Sequence, residues 1–306
     1  MPFLQLTLVV GSADPEPFED ALLGAGAVSL TLEDAADNPV LEPAPGTTPL
    51  WPSVQIKALF TADADPTVIE ALLLAQLPQP LPSLQFALLE DRPWEREWLK
   101  DFRPMRFGQR LWICPDGQRP ADPDFFPEPR TPHPAPCFID LDPGLAFGTG
   151  THPTTALCLE WLDGADLQGR SVIDYGCGSG ILAIAALKLG AASALAVDID
   201  PQAVIATREN AIRNGVVNRL TVCAVAEMRA QPADILLANI LAEPLLSLAS
   251  ALASLVQPHG QIVLSGLLTD QAAQVAMQYS AWFDIAPTRV RGEWARIDGC
   301  RKADAC

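Results

Sequence analysis

Between Leu4 and Val10 the side chains alternate, with Leu4, Leu6, Leu8 and Val10 apolar and Gln5 and Thr7 polar between them. Period-two alternation predicts a half-buried strand. The signature returns in "VSLTLE", "VQIKALF" and "LQFALLE". Two intervening stretches follow a helical period instead. "DPEPFEDALLGAG" has an acidic first turn and stops at Gly24 and Gly26, whereas "DPTVIEALLLAQL" is opened by Asp65 and Pro66, a pairing suited to a helix start. Residues 1–90 therefore read strand, helix, strand, strand, helix, strand, a split βαβ unit of the ferredoxin-like kind. A Pro-rich loop from Pro39 to Pro52 joins its second and third strands.

The next stretch is less regular. "WEREWLKDF" (Trp94 to Phe102) predicts a short connecting helix with Trp94 and Trp98 on one side, and "RFGQRLWICP" a hairpin. Eight prolines between Pro115 and Pro136 exclude regular structure there. From Gly169 onward strands and helices alternate: "SVIDYG", "ILAIAALKLG", "ALAVDID", "PQAVIATRENAIRNG", "LTVCAV" and "DILLANI". The last is almost wholly apolar, as a strand covered on both faces of a parallel sheet requires. A helix through Val256, the strand "GQIVLSG", a helix from Asp270 and two closing strands, "WFDIAPTRV" and "EWARID", complete the series. This order predicts a doubly wound α/β sheet ending in an antiparallel hairpin. The expected divisions are 1–90, a small α+β domain; 91–136, a linker of helix, hairpin and Pro-rich loop; and 137–306, the α/β domain.

Composition narrows the classes. At 306 residues, 49% of them hydrophobic, the chain has enough apolar material for two cores. Seven Cys (114, 137, 158, 177, 223, 300 and 306) form no CxxC pair, and with three His they offer neither a zinc spacing nor a disulfide framework. That usage fits a reduced, cytoplasmic protein that binds no metal. "MPFLQLTLVV" lacks a basic signal-peptide start, and the run "LLSLASALASLV" falls short of the ~20 residues a bilayer span needs, so no membrane partner is expected. Net charge is −17 and unevenly spread: residues 1–90 hold twelve acids and one base, Lys57, a balance of −11, against −6 for the remainder. Such a surface repels phosphate backbones and attracts a basic protein. Direct nucleic-acid binding is not expected.

The candidate chemistry lies in the α/β half. "VIDYGCGSGILA" places a glycine turn, Gly176, Gly178 and Gly180, between a strand and a helix, where backbone can approach a ligand. A nicotinamide site wants GxGxxG, but Ile181 occupies the place of the last glycine. Asp174, just before the turn, would crowd a pyrophosphate and suits a cationic ligand end. S-adenosyl-L-methionine (AdoMet), with an ammonium and a sulfonium but no phosphate, meets that description. In "AVDID", Asp198 stands where a carboxylate takes ribose hydroxyls, while Asp200 beside Pro201 reads as a helix cap. Asn239, in "LLANILAEP", stands at the carboxyl edge of the sheet. Its amide oxygen could accept an N–H of an attacking amine, although alone it also reads as a turn former. Upstream, "DLDPGLAFGTGTHPTT" places Thr149, Gly150, Thr151 and His152 before Pro153. Thr154 and Thr155 then direct N–H and hydroxyl groups toward the ligand, and His152 serves as a cap or a lid contact.

"DPGLAFGTGTHPTT", "VIDYGCGSGILAIAALKLGA", "VDIDPQAV" and "ANILAEPL" together closely resemble the bacterial PrmA family, and "WEREW" and "MRFGQRLWICP" extend the likeness to nearly the whole chain. The resemblance implies a seven-stranded class I AdoMet-dependent methyltransferase domain behind a ferredoxin-like substrate-recognition domain. It implies methylation of lysine ε-amines and an N-terminal α-amine of large-subunit ribosomal protein eleven by a monomer. A transferase for another protein or a small amine is the alternative. Carried over by motif match, the cofactor contacts include Thr155, Gly176, Asp198 and Asn239; the reading of the residues themselves adds Thr149, Thr154, Asp174 and Gly178 as cofactor contacts and makes Asn239 catalytic. Asn239 is followed by Ile240 and Leu241, not by the Pro-Pro-Tyr of many amide and base methyltransferases, which implies a wider pocket.

Overall fold

The computed structural model describes residues 2–36, 38, 40, 47, 49–90, 103–115, 117–120, 135–141, 150–229 and 231–303. The predicted helix at Trp94–Phe102, much of the Pro39–Pro52 loop and most of the Pro115–Pro136 run lie outside them. Two compact units divide the chain, Met1–Trp98 and Leu99–Cys306.

The first unit runs β1 (Phe3–Gly11), α1 (Glu16–Gly24), β2 (Ser29–Asp34), β3 (Val54–Thr61), α2 (Pro66–Gln76) and β4 (Gln85–Leu89). Its four-stranded sheet has the order β2-β3-β1-β4, with every pairing antiparallel. The alternation in β1 places Leu4, Leu6, Leu8 and Val10 on the buried face, against Ile56, Ala58 and Phe60 of β3 and Leu22, Ile69 and Leu73 of the helices. Asp65 caps α2 by accepting the Thr67 N–H at 2.8 Å.

The second unit opens with β5 (Met105–Phe107) and β6 (Leu111–Pro115), the predicted hairpin, and adds β7 (Cys137–Leu141) parallel to β6. The sequence pattern did not show β7, five residues between Pro-rich and Gly-rich stretches. Then follow α3 (Pro153–Gly164), β8 (Ser171–Tyr175), α4 (Ile181–Lys188), β9 (Ser193–Asp198), α5 (Pro201–Arg213), β10 (Leu220–Ala224) and β11 (Ala233–Asn239). The helix expected through Val256 is two short helices, α6 (Ala242–Ser247) and α7 (Ala249–Ser254), and Val256 already begins β12 (Val256–Leu268). After α8 (Ala272–Tyr279), the stretch read as one strand, "WFDIAPTRV", divides into β13 (Phe283–Ile285) and β14 (Arg289–Arg291). Pro287, which has no N–H to offer a ladder, lies in the gap. β15 (Trp294–Arg301) closes the series.

The main sheet has the order β10-β9-β8-β11-β12-β15-β13, with β14 as an eighth strand paired to β15. Strands β10 to β12 are parallel, whereas β13, β14 and β15 join antiparallel. Along β11, Ile235 and Leu237 enter the core shared with α3, α4 and α5, while Leu236 and Ala238 enter the core shared with α6, α7 and α8. Both faces are covered, which explains its unbroken apolar run. Among the described residues no helix is long and apolar enough to cross a membrane, a statement that leaves strands aside.

Candidate active site

Ligands of open α/β sheets bind beyond the carboxyl ends of the strands. At that rim β8 passes through the glycine turn into α4. Gly176, Gly178 and Gly180 have φ of 78°, 54° and 77°, left-handed values that a side chain would strain. The Gly176 and Cys177 N–H groups donate to the Val197 carbonyl at 2.8 and 3.0 Å. Helix α5 holds the other side: the Thr207 hydroxyl donates to the Gly178 carbonyl at 3.0 Å and Asn210 Nδ2 to the Ser179 carbonyl at 2.9 Å. Neither residue was singled out in the sequence, because their partners lie about thirty positions away.

Asp198 and Asp200 separate into two roles. Asp200 Oδ1 accepts the Gln202 N–H at 2.8 Å and caps α5. Asp198 accepts the Gly178 N–H through Oδ2 at 2.9 Å and the Asp200 N–H through Oδ1 at 3.0 Å. Each oxygen keeps a lone pair for a further donor. Between them Ile199 is 84% exposed, an apolar face at the rim that the sequence reading passed over. Its signal was the isoleucine standing between two aspartates.

Asp174 is 1% exposed. Its Oδ2 accepts the Ala183 N–H at 3.0 Å, in the first turn of α4, while Oδ1 has no hydrogen-bond partner among the described residues. Burial pushes this carboxyl up to about 7, with the Ala183 hydrogen bond opposing and the Asp198 charge adding. Asn239 ends β11. Its Nδ2 donates to Thr155 Oγ1 at 3.2 Å, and its Oδ1 is buried with no partner among the described residues. The Thr155 contact uses one of the amide's two N–H donors and leaves its acceptor available.

A packing feature behind Asn239 also went unread. Ile240 donates its N–H to the Ser265 carbonyl at 3.1 Å and is enclosed by two glycines. A methyl on Gly176 would lie 2.3 Å from Ile240 Cγ2, and one on Gly266 (φ 85°) would lie 2.4 Å from the Ile240 carbonyl oxygen. The backbone carrying Asn239 is thereby fixed from two sides.

The upstream block resolves in part. Thr149 lies outside the described residues. Gly150 packs where a methyl would come 3.5–3.6 Å from Ile181, Met105 and Ile113, joining the block to the start of α4 and to the hairpin. His152 is the N-cap of α3, accepting the Thr154 N–H at Nδ1 (3.4 Å) and meeting Thr154 Oγ1 at 2.7 Å. Its ring stands edge-on to Trp294, with centroids 4.5 Å apart, and burial lowers its pKa. Thr154 is thus committed to the cap. Thr155, 2% exposed, turns to Asn239.

The rim therefore presents carboxylates and an amide oxygen, and residues 174–183 include no lysine or arginine. Two buried acceptor atoms, on Asp174 and Asn239, have no partner among the described residues and are the kind of site that a ligand carrying cationic and N–H groups completes. That donor set fits AdoMet and does not fit a pyrophosphate.

Comparison with known proteins agrees with this chemistry. The chain is 52% identical over 305 residues to a ribosomal protein L11 methyltransferase of Pseudomonas paraeruginosa, covering 99% of this chain and 100% of that relative. It is 50% identical over 303 residues to one of Azotobacter vinelandii, with the same coverage. The crystal structure of a ribosomal protein L11 methylase from Lactobacillus delbrueckii subsp. bulgaricus matches with a TM-score of 0.56 at 34% identity, covering 66% of this chain and 100% of that one. The sequence also matches the family described as ribosomal protein L11 methyltransferase (PrmA) over residues 2–302, and this chain belongs to that family.

Proposed function

We propose that this protein transfers methyl groups from AdoMet to lysine ε-amino and N-terminal α-amino groups of ribosomal protein L11, the substrate for which its relatives are named. The observation that carries the mechanism is Asn239 Oδ1 at the sheet's carboxyl rim, buried and with no partner among the described residues. When bound, the cofactor supplies an electrophilic methyl on a sulfonium. The chain's own residues bind, aim and exclude water. Asp198 would hold the ribose hydroxyls, the exposed Ile199 would lie against the adenine, and the turn from Gly176 to Gly178 beside Asp174 would receive the amino-acid end.

The attacking amine must be neutral. A lysine of ordinary pKa is neutral about once in 2,500 at pH 7, a penalty of about 4.6 kcal/mol. Removing it from water lowers that penalty, and holding nitrogen, methyl and sulfur in line supplies much of the remainder. Asn239 Oδ1, buried with no partner among the described residues, would accept one amine N–H and so orient the nitrogen lone pair. Thr155 holds the amide the right way round. Leu241, 56% exposed just beyond Asn239, offers an apolar contact for a lysine stem.

The first unit, with its βαββαβ order and fully antiparallel sheet, reads as a ferredoxin-like recognition module. Its balance of −11 over residues 1–90 favours a basic protein substrate. The test is incubation of the full chain with purified L11 and isotopically labelled AdoMet, followed by mass spectrometry of the product. Label on lysine ε-nitrogens and the α-nitrogen is the expected result. Unlabelled L11 would overturn the substrate assignment.

A further inference from the structure

We propose that below neutral pH the Asp174 carboxyl holds a proton in the cofactor-free protein and surrenders it to solvent as AdoMet binds, so that capture of the methyl donor there releases close to one proton. The argument begins with position. In the sheet Asp174 is flanked by Ala196 of β9 and Leu237 of β11, both fully buried. Its own exposure is 1%, and one oxygen has no hydrogen-bond partner among the described residues. A carboxylate in that position lacks the solvation that a charge needs.

The groups that face it do not restore that solvation. From α4 there is a single backbone N–H, that of Ala183. From the end of β9 comes Asp198, a second acid, whose charge works against ionisation of Asp174. From the turn and from α3 come Cys177 and Cys158, thiols that burial keeps neutral, Cys158 being pushed up to about 12. Among the described residues no cation acts on the carboxyl. Burial and a like-charged neighbour both favour the protonated acid, in agreement with its displacement to about 7 from 3.8.

AdoMet changes this balance, because its amino-acid end brings an ammonium to the turn directly above Asp174. A cation there favours the carboxylate. The bound state then releases what the free state held: the O–H bond of Asp174 breaks, its electron pair stays on the oxygen, and the proton passes to water. Cofactor affinity should accordingly rise by as much as about tenfold per pH unit below 7 and level off above it. Above about pH 8 the cofactor's own α-amino group loses its charge and affinity falls again.

The inference rests on the placement of the cofactor's amino-acid end given under Proposed function, and one experiment separates the two. Carbon-13 NMR of aspartate carboxyl groups is recorded on the full-length protein across the pH range, without and with AdoMet, alongside calorimetry in buffers of different ionisation enthalpy. The expected result is an Asp174 resonance titrating near neutrality in the free protein and remaining ionised in the complex. Calorimetry should show close to one proton released per cofactor near pH 6, a release abolished in Asp174→Asn. A free protein with Asp174 already ionised at about pH 5 would overturn the inference and leave the binding site intact. Cofactor binding that leaves the resonances of Asp174 and of Gly176–Gly180 unmoved would overturn the site placement itself. The wild-type titration decides the matter even where Asp174→Asn fails to fold.

Discussion

Gly266→Ala tests whether the end of β12 holds the backbone of Asn239 and Ile240 in place. Two costs can be worked from the structure. Gly266 has a φ of 85°, and a left-handed backbone costs a residue with a side chain about 1–2 kcal/mol. The added methyl would also lie 2.4 Å from the Ile240 carbonyl oxygen, 2.8 Å from its carbonyl carbon and 2.9 Å from its nitrogen. These are backbone atoms, so no rotamer change relieves the clash, and overpacking of this kind costs about 1–3 kcal/mol more. A combined loss of about 3.5 kcal/mol corresponds to a fall in Tm of roughly 7–14 °C for a unit of this size. Gly215→Ala is the control, because Gly215 has a φ of 67° but nothing within 4 Å of the new methyl. It should incur only the backbone cost, about 1–2 kcal/mol. Thermal and denaturant unfolding of both variants measures the difference. Gly266→Ala should also weaken AdoMet binding, since Ile240 can yield only by moving Asn239 or the Gly176 turn. Equal melting of the two variants would refute the idea that Ile240 is clamped against β12.

Three further predictions address individual side chains. Asn239→Ala should lower kcat on the order of 100-fold, a magnitude typical of a lost preorganised polar contact, while changing AdoMet Kd only slightly; an unchanged kcat in steady-state assays removes Asn239 from the reaction. Asp200→Ala should cost about 1 kcal/mol of stability through its lost cap with cofactor affinity preserved, whereas Asp198→Ala should raise AdoMet Kd because the Gly178 N–H loses its acceptor. Isothermal titration of the two variants distinguishes them, and equal affinities would contradict the division of roles. Finally, Asp174 has a raised folded pKa, about 7 against 3.8, so the folded protein binds this proton more tightly than the unfolded chain. On this group's account the cofactor-free protein loses stability as pH rises from about 4 through 7. Denaturant midpoints of Asp174→Asn should show a flatter decline over that range, and parallel curves would contradict the burial argument.

The elements with strong local periodicity were legible from residue order alone. Alternation in Leu4–Val10 specified which face of β1 is buried, and the unbroken apolar run of β11 specified a strand covered on both sides, because a strand's repeat is encoded in neighbouring residues. The glycine turn and Asn239 were legible for a similar reason: the chemistry they suit depends on residue type at a strand end. What the sequence could not determine is set by partners far away along the chain. In "VDID" the neighbouring Pro201 already marks Asp200 as a cap, which accepts the nearby Gln202 N–H, but the Gly178 N–H that Asp198 accepts comes from twenty residues upstream and only the fold supplies it. β7 is too short to announce itself and exists through its pairing with β6. The orientation of the Asn239 amide depends on Thr155, 84 residues upstream, and the importance of Gly266 depends on Ile240 lying against it. The state of Asp174 is the sharpest case. Its identity is written in the sequence, but the apolar walls that remove its solvation come from Ala196 and Leu237 on separate strands, and only their assembly in the folded sheet decides whether the acid carries a charge.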